Sequence, residues 1–426
     1  MENKEQKNIV YDAVIIGGGA SGMMAAVTAL GHGKKVLIID KNKSLGAKLS
    51  ITGGGRCNIT NAEYDERILL KNYGKSEPFL YSAFAKFGVK DTFAFFESRG
   101  LPLVVQARKR AFPHTEKATD VTAVLQREID KYKSSGQVTI KTNTSATKIV
   151  TKDGIISAVK TMAGEFYGHN FILASGGMSH PETGSTGDGF RFMKELGHTV
   201  KDPTPSIVPL AVADEWVKSL AGVSLSFMKI TFFLEDKKQF SKTGKVLFTH
   251  FGLSGPLILN SASKVGDLLQ SGMVKAYIDA FPDTNLGLLD DQITKIFDAN
   301  KNKNLRTAFK EIAPLGTARA LETLFADNNS GIDFDTKVHS VTKENRKKIV
   351  RILKALPVSI TNLMGYDRAV VADGGVELAE INMKTMRSKL VQNLYVTGDL
   401  LNINRPSGGY GLQLCWTTGF VAGSSV

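Results

Sequence analysis

The hydrophobic pattern at the start of the chain is that of a strand, a turn and a helix. Residues 11–16 (YDAVII) form an apolar run of strand length, a glycine cluster follows, and an apolar stretch then continues to about Leu30. A second apolar run of strand length covers residues 35–39 (KVLII). Because strands that alternate with helices favour a parallel sheet, this pattern predicts a βαβ unit.

The same mixed pattern continues over the first 200 residues. Apolar residues recur at helical spacing over 91–99 and 118–133, which predicts two helices. Two short strand-like runs flank Asp153–Gly154, which is typical of a hairpin turn. Residues 170–174 (NFILA) predict a further buried strand, so we expect an α/β domain here.

The middle of the chain differs in pattern from both ends. From the prolines at 203–209 to about residue 280, short strand-like runs alternate with turns, which predicts a β-rich insert. Leu, Ile and Phe at helical spacing then predict helices over 284–355, before short strands and glycines return near 368. We therefore predict one domain from 1–200 plus 368–426, a β-rich substrate domain from 201–280 plus 357–367, and a helical domain from 281–356.

The glycine cluster after the first strand fits the pattern G-x-G-x-x-G at Gly17, Gly19 and Gly22. In this pattern the first glycine allows a tight turn, the second lets a pyrophosphate approach the backbone, and the third lets helix and strand pack closely. Asp40 follows the second strand at the spacing expected of a carboxylate that binds a ribose hydroxyl. The pattern predicts a dinucleotide site and does not choose between NAD and FAD.

Two other glycine-rich segments bear on that choice. Residues 50–61 (SITGGGRCNITN) place three consecutive glycines beside an arginine, which allows close backbone approach to a flat ring or a diphosphate. Residues 394–402 form a strand that runs into Gly398–Asp399, and 405–419 form another glycine turn that opens a helix. The N–H groups of that helix could face a partial negative charge on a cofactor.

On these motifs the chain resembles the bacterial FAD-dependent flavoproteins that include aminoacetone oxidase and related predicted NAD(P)/FAD-dependent oxidoreductases. Other members are associated with reducing uridine in ribosomal RNA to dihydrouridine, or with reducing enones. The matching segments are IIGGGASGMMAA, LSITGGGRCNITN, KRAFPHT, ILASGGMSHPETGSTGDG, THFGLSGP and VTGDLLN…SGGY, between residues 14 and 410. The resemblance implies an α/β fold with a Rossmann-like FAD-binding domain, an inserted β-barrel-like domain and a small helical third domain.

The resemblance also implies which residues hold FAD. The glycine fingerprint would hold the pyrophosphate, Asp40 the adenosine ribose and Asp399 the phosphate–ribityl linkage, while 408–413 would flank the isoalloxazine. The complete implied set is Gly17, Gly19, Ala20, Ser21, Gly22, Asp40, Lys41, Lys48, Gly53, Gly54, Gly55, Arg56, Cys57, Asn58, Ala174, Gly176, Gly398, Asp399, Gly408, Gly409, Tyr410 and Gln413.

Three functions fit this interpretation. The first is oxidation of a small amine through the flavin with oxygen as acceptor, which we place first because the aminoacetone oxidase name attaches to the family as a whole. The second is reduction of an activated C=C bond, in uridine of ribosomal RNA or in an enone, with NAD(P)H as a transient donor. That reaction needs a proton donor, for which Cys57, Tyr410 and His114 are candidates. The third is a flavin-carrying binding protein without enzymatic activity.

The net charge of the chain bears on which partners it can bind. The 426 residues include 54 Lys and Arg against 41 Asp and Glu, a net charge of +13 that favours anionic partners. Arg108–Lys109–Arg110 and the basic stretch 343–354 would suit RNA, although solvated faces would have the same composition. The polar N-terminus lacks a signal-peptide pattern, so we expect a cytoplasmic protein without a membrane partner. The spacing of histidines and cysteines indicates no metal site, and the oligomeric state is left open.

Overall fold

The computed structural model describes residues 9–327 and 330–426. They divide into two compact units, of which the first comprises the chain up to Thr204 together with Val370–Val426 and the second comprises Pro205–Ala369.

The two longest strands of the described residues, β12 and β13, belong to the second unit. They are β1 (Val10–Ile16), β2 (Val36–Ile39), β3 (Thr60–Asn61), β4 (Leu103–Gln106), β5 (Arg110–Pro113), β6 (Val138–Lys141), β7 (Ala146–Lys152), β8 (Ile155–Thr161), β9 (Gly164–Leu173), β10 (Val200–Ile207), β11 (Leu210–Val212), β12 (Ser224–Leu234), β13 (Lys237–Thr249), β14 (Gly252–Ser254), β15 (Val274–Asp279), β16 (Leu356–Leu363), β17 (Val371–Val376) and β18 (Leu394–Val396).

The α-helices of the described residues lie between these strands and at the C-terminal end. They are α1 (Ala20–Gly31), α2 (Glu66–Leu70), α3 (Glu77–Phe84), α4 (Val89–Glu97), α5 (Ala118–Asp130), α6 (Asp188–Glu195), α7 (Glu215–Lys218), α8 (Pro256–Leu259), α9 (Ala262–Ser271), α10 (Leu286–Ala299), α11 (Leu305–Ile312), α12 (Ala318–Asp327), α13 (Lys343–Lys354) and α14 (Tyr410–Gly423).

The first unit is built on a seven-stranded sheet in the order β6-β2-β1-β9-β8-β7, with β18 also paired to β9. The pairs β6–β2, β2–β1, β1–β9 and β18–β9 are parallel, and β9–β8 and β8–β7 are antiparallel. All four residues of β2 are buried, which is the continuous apolar pattern of a strand covered on both faces. The predicted βαβ unit is confirmed as β1, α1 and β2.

Helices α1 and α14 pack against each other through glycines of α14. A Cβ on Gly419 would lie 2.4 Å from the backbone oxygen of Ser21, and a Cβ on Gly423 would lie 2.4 Å from that of Ala25. Any side chain at either position would push the helices apart. These two glycines therefore allow the C-terminal half of α14 to pack directly against α1.

The second unit contains the predicted β-rich insert, which closes into an antiparallel barrel in the order β11-β14-β13-β12-β15-β16. The last barrel strand, β16, comes after the helical segment in the chain. Residues Leu289, Ile293 and Phe297 of α10 and Phe309 of α11 are buried in one hydrophobic core with the barrel residues. The helices predicted as a separate domain thus share their core with the barrel, because helices this short cannot bury an apolar face alone.

Two further features of the first unit lie outside its main sheet. A three-stranded antiparallel sheet has the order β3-β5-β4, with β4 at its edge. The imidazole of His198 is fully buried, with Nδ1 2.8 Å from a Glu380 carboxylate oxygen and Nε2 2.8 Å from the Ser388 hydroxyl. Burial lowers the pKa of His198, although the Glu380 carboxylate acts in the opposite direction.

Among the described residues, no helix has the length and apolar composition needed to cross a membrane.

Candidate functional site

The fingerprint glycines fall into two kinds when a Cβ is built on each. A Cβ on Gly17, whose φ is 105°, would lie 2.4 Å from the oxygen of Ala174, and a Cβ on Gly22 would lie 1.9 Å from the oxygen of Gly17. A Cβ on Gly19 would meet nothing within 4 Å. Gly17 and Gly22 are therefore required for packing, whereas Gly19 leaves a space open beside the backbone.

That space lies at the N-terminus of α1, a helix of 12 residues. Gly19 is the N-cap and provides no side-chain hydrogen bond, and no acidic residue occupies the first turn. The N–H groups of Ala20 and Ser21 cannot have intrahelical partners at this position and carry part of the positive end of the helix dipole. A diphosphate would satisfy both requirements, so this turn fits the FAD pyrophosphate.

Asp40 is buried at the end of β2, where both carboxylate oxygens already accept one backbone hydrogen bond. Oδ2 accepts from the N–H of Gly18 and Oδ1 accepts from the N–H of Asn42, each at 2.7 Å. A carboxylate oxygen has a second lone pair, so each oxygen can still accept a ribose hydroxyl. Asp40 thus orders the glycine turn and fits the ribose-binding role predicted for it.

Asp399 lies in a buried cluster of charges. Its carboxylate forms an ion pair with Arg405, whose side chain is only 2% exposed, and Lys48 Nζ lies 3.6 Å from its other oxygen. Burial raises the pKa of Asp399, but the charges of Arg405 and Lys48 outweigh this effect, and the net pKa is below its usual value. Asp399 is therefore an anionic acceptor suited to ribityl hydroxyls.

Arg405 is the site residue that sequence reasoning missed. Its Nη1 donates to the oxygen of Ile403 at 2.7 Å, while its Nε is buried without a hydrogen-bond partner in the described chain. The sequence shows only an arginine before a proline, and nothing in that pattern indicates burial. Lys48 Nζ also contacts the Ser179 hydroxyl at 3.0 Å, which joins the cluster to the segment after β9.

Two further residues that were predicted to bind the cofactor, Lys41 and Gly176, contact other parts of the protein. Lys41 Nζ forms an ion pair with Asp188 at 2.6 Å, at the start of α6. A Cβ on Gly176, whose φ is 74°, would lie 2.9 Å from the Ser185 hydroxyl. Lys41 and Gly176 therefore join the end of β2 and the segment after β9 to the turn that precedes α6.

The second glycine turn places the start of α14 against β3. Gly408 and Gly409 have φ values of 121° and 100°, and a Cβ on Gly409 would lie 2.2 Å from the carbonyl carbon of Thr60. The Asn58 amide accepts from the N–H of Gly409 at 3.0 Å and donates to the oxygen of Ala111 at 3.2 Å. Asn58 thereby ties the turn to β5.

Gln413 is not at the surface of this turn. Its Oε1 accepts hydrogen bonds from the hydroxyls of Thr60 at 2.6 Å and Thr92 at 2.9 Å, and its Nε2 donates to Thr417 at 3.1 Å. The amide is fully buried. Its side chain therefore holds α14 against β3 and α4, which differs from the flavin-flanking role that we predicted.

The glycine run 53–55 forms an exposed turn in which all three residues have left-handed φ values of 60°, 67° and 84°. The adjacent Arg56 forms an ion pair with Glu116, donates to Gln106 Oε1 at 2.9 Å and lies 4.5 Å from the ring centroid of Phe112. The arginine therefore fixes this turn to β4 and β5.

The three candidate proton donors lie in different environments. Cys57 is 0% exposed, and burial raises the pKa of its thiol to about 12. His114 is exposed just after β5. Tyr410 is partly buried at the first position of α14, and burial, followed by the charge of Glu63, raises its pKa. A ligand at the second glycine turn could reach Tyr410, but it could reach Cys57 only if the surrounding residues moved.

Within residues 9–327 and 330–426, no three His, Cys, Asp or Glu side chains converge as metal ligands would. The parallel sheet, the open turn at Gly19, and the two carboxylates at Asp40 and Asp399 together fit FAD, and all belong to the first unit. These features define an FAD-dependent oxidoreductase.

Comparison with known proteins gives the family. The family model described as HI0933-like protein Rossmann domain matches residues 11–425, and the chain belongs to this family. It is 28% identical over 413 residues to the 3-dehydro-bile acid delta(4,6)-reductase of Clostridium scindens, covering 96% of this chain and 97% of that protein. It is 27% identical to the ribosomal RNA dihydrouridine synthase of Haemophilus influenzae, covering 97% of this chain and 98% of that protein.

Among solved structures, the fold resembles a 3-ketosteroid-delta4-(5alpha)-dehydrogenase from Rhodococcus jostii. The TM-score is 0.52 at 12% identity, with 99% of this chain and 98% of that chain covered. At this identity the likeness concerns the fold. The implied family, the Rossmann-like FAD domain and the barrel are confirmed, whereas aminoacetone oxidation stays a prediction.

Proposed function

We propose that this protein is an FAD-dependent reductase of a C=C bond conjugated to a carbonyl group, and that its substrate is uridine in ribosomal RNA. The names of two full-length relatives support the reaction class, since one is a bile acid delta(4,6)-reductase and another a ribosomal RNA dihydrouridine synthase. Both names describe the addition of hydrogen to a C=C bond.

The observation that carries the proposal is Tyr410. Reduction of a conjugated C=C bond adds a hydride to one carbon and a proton to the carbon beside the carbonyl, so it needs a positioned acid. Bound FAD supplies the hydride, and we propose that NAD(P)H is its source. A tyrosine phenol is protonated at neutral pH, and burial raises the pKa of Tyr410 further, so this phenol carries a proton that it can donate.

The position of Tyr410 is fixed by its neighbours. The Tyr73 hydroxyl donates to the backbone oxygen of Tyr410 at 2.9 Å, and the two rings meet edge to face at 5.9 Å. A Cβ on Gly408 would lie 3.5 Å from the same ring. A fixed, neutral phenol suits protonation of a carbon, whereas oxidation of a neutral amine requires no such acid.

The experiment separates the two half-reactions. The holoenzyme is mixed anaerobically with NADPH, NADH or aminoacetone, and flavin bleaching is followed by stopped flow. The reduced enzyme is then mixed with a ribosomal RNA transcript, with a steroid enone or with oxygen, and digested RNA is examined for a uridine heavier by two hydrogens. Bleaching by a nicotinamide and formation of this nucleoside support the proposal. Bleaching by aminoacetone alone would support the amine oxidase that the sequence predicts.

The role of Tyr410 is tested with Tyr410→Phe, and Tyr395→Phe serves as the matched control because Tyr395 is a buried phenol of β18 that bonds to Ser425. We expect Tyr410→Phe to leave flavin reduction unchanged and to slow product formation by about 10²- to 10⁴-fold, the usual contribution of an acid. Equal rates of product formation in the wild type and Tyr410→Phe would exclude the phenol as the donor.

A further inference from the structure

The charged residues of the molecule differ in how many partners they already have. On the basic helix α13, Arg346 is paired with Asp290 at 2.7 Å, Lys354 with Asp279 at 2.7 Å, and Lys348 lies 3.9 Å from Glu344. These cations are held by carboxylates of their own unit. Lys347 and Arg351 remain exposed on this helix without an ion pair among the described residues.

The loop that joins β4 to β5 has a strained backbone. Arg108 and Lys109 are consecutive non-glycine residues with left-handed φ values of 62° and 57°. Such a conformation costs about 1–2 kcal/mol per residue, and residues of this kind cluster at binding sites. The Arg108 side chain is exposed and has no partner in the described chain, whereas Arg110 is partly buried, with Nε bonded to the oxygen of Ala107 and its guanidinium 5.9 Å from the ring centroid of Phe112.

Hydrogen bonds fix this strained loop to the second glycine turn. The Asn61 amide donates to the oxygen of Arg108 at 3.3 Å and to that of Gly408 at 3.2 Å. The N–H of Ala62 donates to the oxygen of Lys109 at 2.6 Å. One amide therefore holds the backbone of the arginine loop and the turn before Tyr410 together. Arg108 and Arg110, which have no ion pair among the described residues, thus lie beside the start of α14.

Exposed apolar side chains accompany the loop. Val104 and Val105 of the edge strand β4 are 46% and 48% exposed, and Tyr64 is 49% exposed with its ring 5.8 Å from that of Phe93. Of the nearby carboxylates, Glu63 pairs with Lys109 and Glu116 with Arg56, while Asp65 caps the start of α2 and Glu66 is exposed. Cations beside an exposed aromatic ring are the combination by which proteins bind single-stranded nucleic acid.

We infer that the loop Ala107–Arg110 and Tyr64 form the RNA-binding surface, with Arg108 and Arg110 contacting phosphates and Tyr64 stacking on a base next to the reacting uridine. This inference rests on the proposed reduction of uridine in RNA. A uridine must leave its stack to be reduced, and a surface that binds the flanking single strand beside the glycine turn holds it in that state. Helix α13 is the competing surface.

The test measures binding of the holoenzyme to a fluorescent, uridine-containing single-stranded RNA by anisotropy over a range of salt concentrations. The variant is Arg108→Ala with Arg110→Ala, and the matched control is Lys347→Ala with Arg351→Ala, which also removes two exposed cations. We expect the loop variant to lose at least about tenfold in affinity, and its salt slope to fall by about 1.4, since each single-strand phosphate contributes about 0.7. The control should keep the wild-type slope.

Two further variants keep the test decisive. Arg108→Gly removes the charge and relieves the left-handed strain, so it folds even if the double variant does not, and it should lower the slope by about 0.7. Tyr64→Ala should weaken binding by about 5- to 150-fold. Wild-type binding that only the α13 control weakens would overturn the inference and leave the proposed function standing. A wild type that makes no dihydrouridine would instead overturn the proposed function.

Discussion

Replacing Gly19 by alanine should separate cofactor binding from folding. Gly19 has φ −79° and ψ −166°, which alanine adopts without strain, and its Cβ would meet no protein atom within 4 Å. Because the new methyl group would occupy the open space beside the N–H groups of Ala20 and Ser21, it would exclude a phosphate from that position. We therefore expect a stable protein that binds FAD poorly.

The magnitudes follow from the same geometry. Alanine is a weaker N-cap than glycine, but replacing glycine at a compatible φ stabilises by about 0.4–1 kcal/mol, so the two effects offset each other. The free energy of unfolding of the apoprotein should change by less than about 1 kcal/mol. Loss of one hydrogen bond to a charged phosphate costs about 1.5–3 kcal/mol, which raises the Kd for FAD by about 10- to 150-fold.

The matched variant is Gly22→Ala, three residues along the same turn. Its Cβ would lie 1.9 Å from the oxygen of Gly17, so the backbone must move. Overpacking of this kind costs about 1–3 kcal/mol or more. Gly22→Ala should therefore lower the stability of the apoprotein, whereas Gly19→Ala should not.

The assay uses urea unfolding of both apoproteins and FAD titration followed by flavin fluorescence. The two variants should differ in kind: Gly19→Ala should lose affinity for FAD at constant stability, and Gly22→Ala should lose stability. A Gly19→Ala protein that binds FAD within twofold of wild type would refute the assignment of this turn to the pyrophosphate. A Gly19→Ala apoprotein as unstable as Gly22→Ala would refute the steric argument.

Three further predictions follow from the contacts. Asp40→Ala should weaken FAD binding and also destabilise the apoprotein, by about 1–3 kcal/mol for each backbone N–H left unpaired. The control is Asp12→Ala, which loses only the hydrogen bond from Lys35 N and should change stability alone. Both variants are measured by urea unfolding and FAD titration. Because the pKa of His198 is lowered in the folded protein, its contribution to stability is present above about pH 6.5 and is lost as pH falls below that value. The melting temperature of His198→Gln should therefore drop less steeply on acidification than that of the wild type. The Cys57 thiol, with a pKa of about 12, should not react with a thiol reagent at pH 8 until the protein is unfolded, and rapid labelling of the native protein would contradict its burial.

Several features of the site could be predicted from local sequence. The turn at Gly17–Gly22 follows from an apolar strand, three glycines and an apolar helix, all within 20 residues. Asp40 could be placed because parallel neighbouring strands end at the same edge of a sheet. Gln413 and Cys57 could not be placed, because a residue near a glycine turn can face either the ligand or the core, and the sequence spacing is the same for both.

The pairing of charged residues also could not be predicted from the sequence. Composition gives the net charge of +13 and locates the basic segments, but not which cations already have a partner. Arg346 on α13 pairs with Asp290 from a helix 56 residues away, whereas Arg108 on the β4–β5 loop has no partner among the described residues. Only the tertiary structure distinguishes a cation that is paired with a carboxylate from one that is not.

The sequence by itself determined the elements that depend on neighbouring residues: the βαβ unit, the glycine fingerprint, the β-rich insert and the family motifs. The tertiary structure decided what depends on residues distant in the chain. It placed the helices and the barrel around one core, buried Arg405 against Asp399, and fixed the arginine loop to the Gly408 turn through Asn61. The physical reason is that periodicity and glycine content report local backbone preferences, whereas burial and ion pairing arise only when distant segments pack together.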